Sequence, residues 1–137
     1  MALIALTTAN KVEVVGIPSS QHTAPAAEAI VAGAPVRLDT SNGKFTNSNG
    51  TTAAEARVWG IATKTVAANE PLTAIRRGFM DGFDLTSQAY DLAIFVSDTD
   101  GRLGDVAGTV STVVGRVLSA WSQRLGTAAD KILSVEL

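Results

Sequence analysis

Turn-forming residues interrupt this chain so often that long helices have little room to form. Pairs such as Asn42-Gly43 and Asp100-Gly101 separate short apolar runs, and turn signals recur roughly every 8–12 residues. Asn-Gly and Asp-Gly tolerate positive φ at the centre of a tight turn, so they favour β-hairpins. The runs between the turns are rich in Val, Ile and Thr, whose branched side chains favour strands. The pattern predicts an all-β barrel or sandwich.

The length and the shortage of aromatic residues fix what the core contains. A chain of 137 residues has room for one domain and one main core. Only 5% of the residues are aromatic, so Val, Ile, Leu and Ala must fill that core. We therefore expect a single compact β-barrel or β-sandwich (β-tulip-like) domain with an extended N-terminal arm and few or short helices. Residues 1–27 are interpreted as arm and linker, and residues 28–137 as the β-rich body.

Several segments carry strand patterns, and one is ambiguous. The predicted strands are 11–17, 35–39, 57–64, 72–77, 92–96 and 131–137. Residues 18–27 are rich in Pro, Ser and Ala and are interpreted as an extended arm or loop, and residues 79–85 as an irregular stretch. Gly60 inside its strand indicates a bulge or a close backbone approach. Residues 113–125 fit either an amphipathic helix or a strand, and Gly115 with the β-branched run before it favours the strand.

Charge and composition exclude several classes of partner. The 13 acidic and 11 basic residues give a net charge of −2 and are spread along the chain. Nucleic-acid binding needs a concentrated positive footprint, which Arg76-Arg77 alone does not supply. No run approaches the roughly 18 apolar residues of a membrane span, and the first residues lack the features of a signal peptide. We expect no nucleic-acid or membrane partner and synthesis in the cytoplasm.

No pattern of catalytic or metal-binding residues stands out. His22 is the single histidine and is interpreted as an exposed residue of the Pro/Ala-rich linker, so we expect neither a His-based triad nor a multi-histidine metal site within one chain. Asp98 begins a calcium-like Asp-x-Asp-Gly pattern, but Leu103 and Thr109 occupy the places where the loop needs Gly and Glu. There is no cysteine. We predict no enzyme activity, no cofactor and no metal; a small hydrolase or sugar-binding domain is the third hypothesis, and it needs a cleft of convergent polar groups.

The order of short motifs along the body carries a family resemblance. The motifs are Gly33-Ala34-Pro35-Val36-Arg37-Leu38, Trp59-Gly60-Ile61-Ala62, Gly78 after an apolar strand, Ala93-Ile94-Phe95-Val96-Ser97 with Asp100-Gly101-Arg102-Leu103, Val114-Gly115-Arg116-Val117-Leu118, and Ile132-Leu133-Ser134-Val135-Glu136-Leu137. In this order they resemble the capsid decoration, or cement, proteins of tailed bacteriophages. The resemblance covers about residues 28–137.

The resemblance implies a structural protein without an active site. Such proteins join the outer surface of an expanded icosahedral head, bridge neighbouring major capsid proteins and brace the shell. They act as homo-oligomers, commonly trimers and sometimes dimers, and the trimer is preferred here. The implied location is the virion's outer capsid surface, after synthesis in the host cytoplasm. The alternative is another virion β-domain, from a tail or baseplate, or a general protein-binding module.

Two sets of residues are candidates for contact with the shell. An N-terminal strand can pair with a sheet edge on the partner while alternate apolar side chains occupy pockets. The candidates for this capsid-binding arm are Leu3, Ile4, Leu6, Val12, Val14 and Ile17. The alternative is that this segment is an edge strand of the domain's own sheet. Candidates for a subunit or shell interface are Arg76, Arg77, Phe79 and Trp59, with a solvated strand end or a core position as the alternatives.

Overall fold

Strands account for the regular structure of this chain. The computed structural model describes residues 2–9, 12–120 and 131–137, and for residues 16–19 it describes the backbone only. The strands within these ranges are β1 (Glu13–Pro25), β2 (Pro35–Leu38), β3 (Phe45–Asn47), β4 (Gly60–Ala62), β5 (Pro71–Asp81), β6 (Ala93–Val96), β7 (Leu103–Gly104), β8 (Val113–Ser119) and β9 (Lys131–Glu136). No helix is among the elements of these ranges, and the all-β prediction is confirmed.

The strands form one curled antiparallel sheet, a half-barrel. Their order across the sheet is β3-β2-β4-β5-β9-β8-β6-β7, and β1 pairs with β5 off this path. β5 is the centre of the arrangement. β1 follows it from Glu13↔Asp81 to Pro25↔Pro71, while β4 and then β9 pair with successive parts of it. One long strand therefore holds three neighbours in place.

A bulge interrupts the pairing of β1 and β5 at Arg76. Ser20 is opposite Arg77, but the next residue of β1, Gln21, is opposite Ile75. Arg76 is thus the extra residue on β5. Bulges of this kind redirect side chains at a sheet surface, and this one separates two halves of β5 that have different surroundings.

Two hydrophobic cores lie on opposite faces of the sheet at β4 and β5. Ile61 and Ile75 belong to the larger core, whereas their chain neighbours Ala62 and Ala74 belong to a second, alanine-rich core. Successive side chains of a strand point to opposite faces, so the two cores are on opposite sides of the sheet. The larger core also contains Ile4, Val12, Ala32, Met80, Phe83, Leu85, Ile94, Val96, Leu103, Val114, Val117, Leu133 and Val135. The alanine-rich core also contains Ala24, Ala26, Ile30, Ala34, Val36, Phe45, Val66 and Leu72.

Local turn chemistry determines both predicted hairpins. Gly43 has φ +70° in the turn that joins β2 to β3, and Gly101 has φ +68° in the turn that joins β6 to β7. Positive φ is easily reached by glycine, as the Asn-Gly and Asp-Gly pairs predict. Both hairpins are confirmed.

Close backbone approach explains Gly60. A Cβ atom at this position would lie 2.6 Å from the carbonyl oxygen of Ile75 on the adjacent strand. The predicted close approach is confirmed. Gly115 is more tightly placed, because a Cβ there would lie 1.9 Å from the carbonyl oxygen of Ser134.

Three segments differ from, or refine, the sequence expectation. The loop expected over Pro18–Ala27 is instead part of β1 as far as Pro25, because long-range pairing with β5 overrides its loop-like composition. β5 continues through Gly78 to Asp81 instead of ending there, since Gly78 adopts φ +148° and still pairs with Val135. The preferred strand in 113–125 is confirmed over Val113–Ser119, and residues 121–125 lie outside the described residues. The division of the chain into arm and body stays a prediction.

Candidate binding surface

The N-terminal segment packs on the chain's own body. Leu3 forms an isolated bridge with Gly104, and the Ile4 N–H donates to the Leu103 carbonyl at 2.9 Å. Further along, Leu6 forms a bridge with Phe83. Through these contacts, residues 3 and 4 lie along β7, and Leu6 lies beside Phe83.

The six arm candidates separate by their burial. Ile4 and Val12 are 3% and 6% exposed and belong to the larger core, so neither is accessible to a partner in this conformation. Leu6 and Val14 are half-buried against the same core, and Leu3 remains 38% exposed. The side chain of Ile17 lies outside the described residues. The role of this set in capsid binding stays a prediction, although the burial favours the interpretation as part of the chain's own sheet.

β1 is an edge strand with one open side. It has 13 residues, and within the described parts of the chain its ladder partner is β5 alone. Gln21, His22 and Thr23 are exposed. An open edge presents unpaired N–H and C=O groups to which another strand can add. The strand also contains Pro18 and Pro25, a residue type confined to edge strands and bulges within sheets.

The four interface candidates lie in two places. Arg76 and Trp59 are together: the Arg76 guanidinium lies 5.5 Å from the Trp59 ring centroid, and its Nη1 donates to the Trp59 carbonyl at 2.9 Å. Arg77 and Phe79 lie further along β5, opposite Glu136 and Ser134 of β9. Phe79 is 42% exposed, which is high for a large apolar side chain within a sheet. The bulge at Arg76 marks the boundary between the two places.

Aromatic side chains support Trp59 from one side. The His22 ring is 5.6 Å from the Trp59 ring and 5.8 Å from the Phe45 ring. Phe45 and Trp59 are 6.0 Å apart. These separations are typical of favourable aromatic pairs. His22, predicted to be an exposed linker residue, is exposed but belongs to β1 and to this aromatic cluster.

Two arginines that the sequence reasoning missed lie near Trp59. Arg37 of β2 and Arg57, just before β4, line a groove with Arg76 and Trp59. Arg57 is 19 residues and Arg37 is 39 residues from Arg76 along the chain, and no local motif connects the three. The pairing of β2 with β4 and of β4 with β5 brings them together. No signal short of the strand order identifies this set.

The partly buried carboxylate of Glu28 joins residues 26–30 to β3, two segments that contribute to the alanine-rich core. Glu28 accepts hydrogen bonds from the Thr46 hydroxyl and from the Asn47 N–H of β3. Burial raises the pKa of Glu28, but these hydrogen bonds and Arg37 outweigh it and hold the pKa below its ordinary value of 4.5. The charged form of Glu28 therefore stabilises the contact between residues 26–30 and β3.

Other kinds of site find no support in the part of the chain that the structure describes. Within it, no group of three or more His, Cys, Asp or Glu side chains is placed to hold a metal ion. Asp98 accepts hydrogen bonds from the Thr109 N–H and hydroxyl at 2.8 Å each, which gives it a role in joining loops. Across residues 2–9, 12–120 and 131–137, no helix has the length and apolar character to cross a bilayer.

No protein-family model matches the chain, and no curated protein matches it significantly.

Proposed function

We propose that this chain is a structural virion protein that decorates and stabilises the outer surface of an expanded icosahedral phage capsid by bridging neighbouring major capsid proteins. The observation that carries the proposal is the open edge of β1, a 13-residue strand that pairs on one side within the described residues. The order of sequence motifs that resembles capsid decoration proteins supports the same function.

Strand addition at β1 supplies a physical basis for attachment. Backbone hydrogen bonds to a partner strand give affinity, and side chains that alternate along the strand give specificity. Gln21 and Thr23 are exposed beside this edge, so a partner strand reaches it without displacing the buried core. Phe79, on the same side of the bulge as Val15, adds exposed apolar area that a shell protein can cover.

Oligomerisation strengthens such attachment. The chain acts as a homo-oligomer, a trimer by preference, so several weak contacts with the shell form at high effective concentration. No catalytic step is part of this function.

Co-sedimentation tests the proposal. The purified protein is mixed with expanded, undecorated heads of its cognate phage, and unexpanded proheads are the control. We expect saturable binding to expanded heads and little binding to proheads. A folded protein that binds neither shell contradicts the proposal and favours a tail, baseplate or adaptor module.

Hydrogen exchange tests the role of β1. Amide exchange is measured by mass spectrometry for the free protein and for the protein bound to heads. Exchange in residues 20–25 slows on binding if a partner strand adds to the edge. The exposed loop of residues 51–54 is the internal reference. Binding to heads with unchanged exchange in β1 assigns attachment to another surface.

A further inference from the structure

Three arginines and a tryptophan form a groove at the boundary between the two halves of β5. The groove has a volume of about 300 Å³, and its lining includes Arg37, Arg57, Arg76, Trp59 and Asp39. Arg37, Arg76 and Trp59 are half-buried, and Arg57 is exposed. Arg76 is the bulged residue of β5, and bulges often redirect side chains beside functional sites.

The structure fixes two of the three guanidinium groups in place. The Nη1 atom of Arg37 donates to the Asn47 carbonyl at 2.7 Å, and Nη1 of Arg76 donates to the Trp59 carbonyl at 2.9 Å. The Trp59 ring further restricts Arg76 through a cation–π contact of 5.5 Å. Each guanidinium carries five donors, so both groups keep donors beyond those used here. Prior fixing of these side chains lowers the entropy cost of binding a ligand.

Two of the three arginines of the groove, Arg57 and Arg76, have no carboxylate partner among the described residues. Of the two ion pairs among the described residues, both belong to Arg116. Asp39, the carboxylate of the groove, already accepts hydrogen bonds from the Ser41 N–H at 2.8 Å and from the Ser41 hydroxyl at 2.6 Å. These Ser41 bonds hold the pKa of Asp39 below its ordinary value. Arg37 interacts electrostatically with Glu28, Asp39 and Glu55, whereas Arg57 and Arg76 form no ion pair among the described residues.

We infer that this groove binds an acidic segment of the partner protein, in which Asp or Glu carboxylates reach Arg37, Arg57 and Arg76 while an adjacent apolar group covers Trp59. The inference rests on the proposed function, because it gives the chemistry of the shell segment that docks beside β1. Guanidinium groups match carboxylates in paired, charge-assisted hydrogen bonds. Trp and Arg are also the residue types that most often dominate binding energy at protein interfaces.

Charge distribution favours a protein segment over a nucleic acid. The chain as a whole has a net charge of −2. A nucleic-acid backbone needs a longer positive track to release many counterions, and three arginines in one groove do not form such a track. A short acidic peptide places its few charges within a groove of this size.

A soluble peptide tests the groove without the shell. The probe is a short synthetic peptide that contains four Glu residues and one Leu, and a second peptide with Gln in place of each Glu is its control. Isothermal titration at low salt measures affinity, and the indole N–H signal of Trp59, assigned from its loss in Trp59→Phe, reports the site. We expect the Glu peptide to bind and shift this signal, and the Gln peptide to do neither.

Two matched variants separate the groove from general electrostatic attraction. Arg57→Glu is expected to weaken binding of the Glu peptide by about tenfold or more. Lys64→Glu makes the same charge change at an exposed lysine outside the groove and is expected to weaken binding by less than about threefold. Thermal unfolding verifies that both variants fold. Equal weakening by the two variants, or no binding of the Glu peptide, overturns the inference.

A single-stranded oligonucleotide with the same net charge as the Glu peptide tests whether the groove prefers an acidic protein segment or a nucleic acid. The inference requires that it bind more weakly than the Glu peptide. Tighter binding of the oligonucleotide, with the same dependence on Arg57, overturns the assignment to an acidic protein segment.

The head-binding assay keeps the two proposals distinguishable. If expanded heads bind wild type and Arg57→Glu equally, the groove inference fails and the proposed function stands. If heads bind neither protein while the Glu peptide binds in an Arg57-dependent way, the proposed function fails and the groove remains a site for acidic segments. Loss of head binding in Arg57→Glu, but not in Lys64→Glu, supports both.

Discussion

The two halves of β5 show how one strand builds both a core and a binding surface. In the first half, Leu72 and Ala74 are fully buried in the alanine-rich core while Ile75 is buried in the larger core. In the second half, Met80 is buried in the larger core, but Phe79 is 42% exposed and Arg77 is exposed. The first half thus has hydrophobic packing on both faces, and the second half on one.

The difference arises where the second layer ends. β2, β3 and residues 26–34 supply Val36, Phe45 and Ile30 to the alanine-rich core, which covers the first half of β5. Five of the ten buried members of this core are alanines, so the covering layer approaches the sheet closely. Beyond Arg76 the described residues contribute no such layer. The groove lies at the end of this covering layer, and Phe79 lies beyond it. A partner can reach the sheet at both places.

The largest effect is expected where β8 pairs with β9, the strand that pairs with the uncovered half of β5. Gly115→Ala places a Cβ atom where the carbonyl oxygen of Ser134 lies 1.9 Å away, so β8 and β9 have to separate. We expect the free energy of unfolding to fall by about 3 kcal/mol or more. Urea denaturation followed by circular dichroism measures the change.

Gly43→Ala is the control for Gly115→Ala. No atom lies within 4 Å of a Cβ at Gly43, but its φ of +70° disfavours alanine. The expected loss is about 1 kcal/mol, from backbone strain alone. Equal losses in the two variants would contradict the close approach of β8 to β9.

A second pair of variants compares the stability that side chains contribute in the covered and uncovered halves of β5. Leu72→Ala removes a fully buried side chain from the covered half, and about 2–5 kcal/mol of stability should be lost. Phe79→Ala removes a larger side chain from the uncovered half, but about 1 kcal/mol or less should be lost because the ring is 42% exposed. Chemical denaturation of both variants tests the comparison. A loss from Phe79→Ala as large as that from Leu72→Ala would mean that both halves are covered in solution.

The smallest expected effect is on the pH dependence of stability, through the Glu28 carboxylate that accepts hydrogen bonds from β3. The folded-state pKa of Glu28 is below its ordinary value of 4.5, so the charged carboxylate stabilises the fold above that value. This contribution is lost as the pH falls from 4.5 through the lower folded-state pKa. Glu28→Gln should therefore cost under about 1 kcal/mol at pH 7 and reduce the loss of stability between pH 5 and pH 3. Denaturation series at several pH values measure both effects.

Asp84→Asn is the matched change outside the cover. Hydrogen bonds from the Thr86 hydroxyl and N–H hold the pKa of Asp84 below its ordinary value, and Asp84 is exposed. Its contribution has the same sign, but solvent weakens it, so the variant should change the pH dependence less than Glu28→Gln does. A larger effect from Asp84→Asn would contradict the expectation that the partly buried Glu28 contributes more to the pH dependence of stability than the exposed Asp84.

Local chemistry made much of the strand pattern predictable. The apolar run of residues 92–96 predicts a strand, and β6 occupies Ala93–Val96 within it. Asn42-Gly43 and Asp100-Gly101 predict hairpins because only a few residue types accept positive φ at low cost, and both hairpins are present. Gly60 predicts a close backbone approach, and the Ile75 carbonyl provides it. Each of these features depends on neighbours in sequence or on the absence of a side chain.

The partner of β1 and the composition of the groove were not predictable in the same way. Pro, Ser and Ala in residues 18–27 indicate a loop, but the six positions from Ser20 to Pro25 that pair with β5 compensate for weak local preference. Arg37, Arg57 and Arg76 meet Trp59 because β2, β4 and β5 are neighbours in one register and because β5 bulges at Arg76. Strand order and bulges depend on contacts between residues far apart in the chain.

The sequence by itself determined that this chain is all-β, where its hairpins turn, and that glycine is needed at Gly60. These outcomes follow from backbone sterics and from side-chain branching, which act over a few residues. Within the described residues, the tertiary structure alone decided that Ile4 and Val12 are buried, that β1 has one open edge, and that one half of β5 lacks a second layer. Those outcomes depend on which distant strands pair and on where the covering layer ends, and short sequence patterns do not encode either.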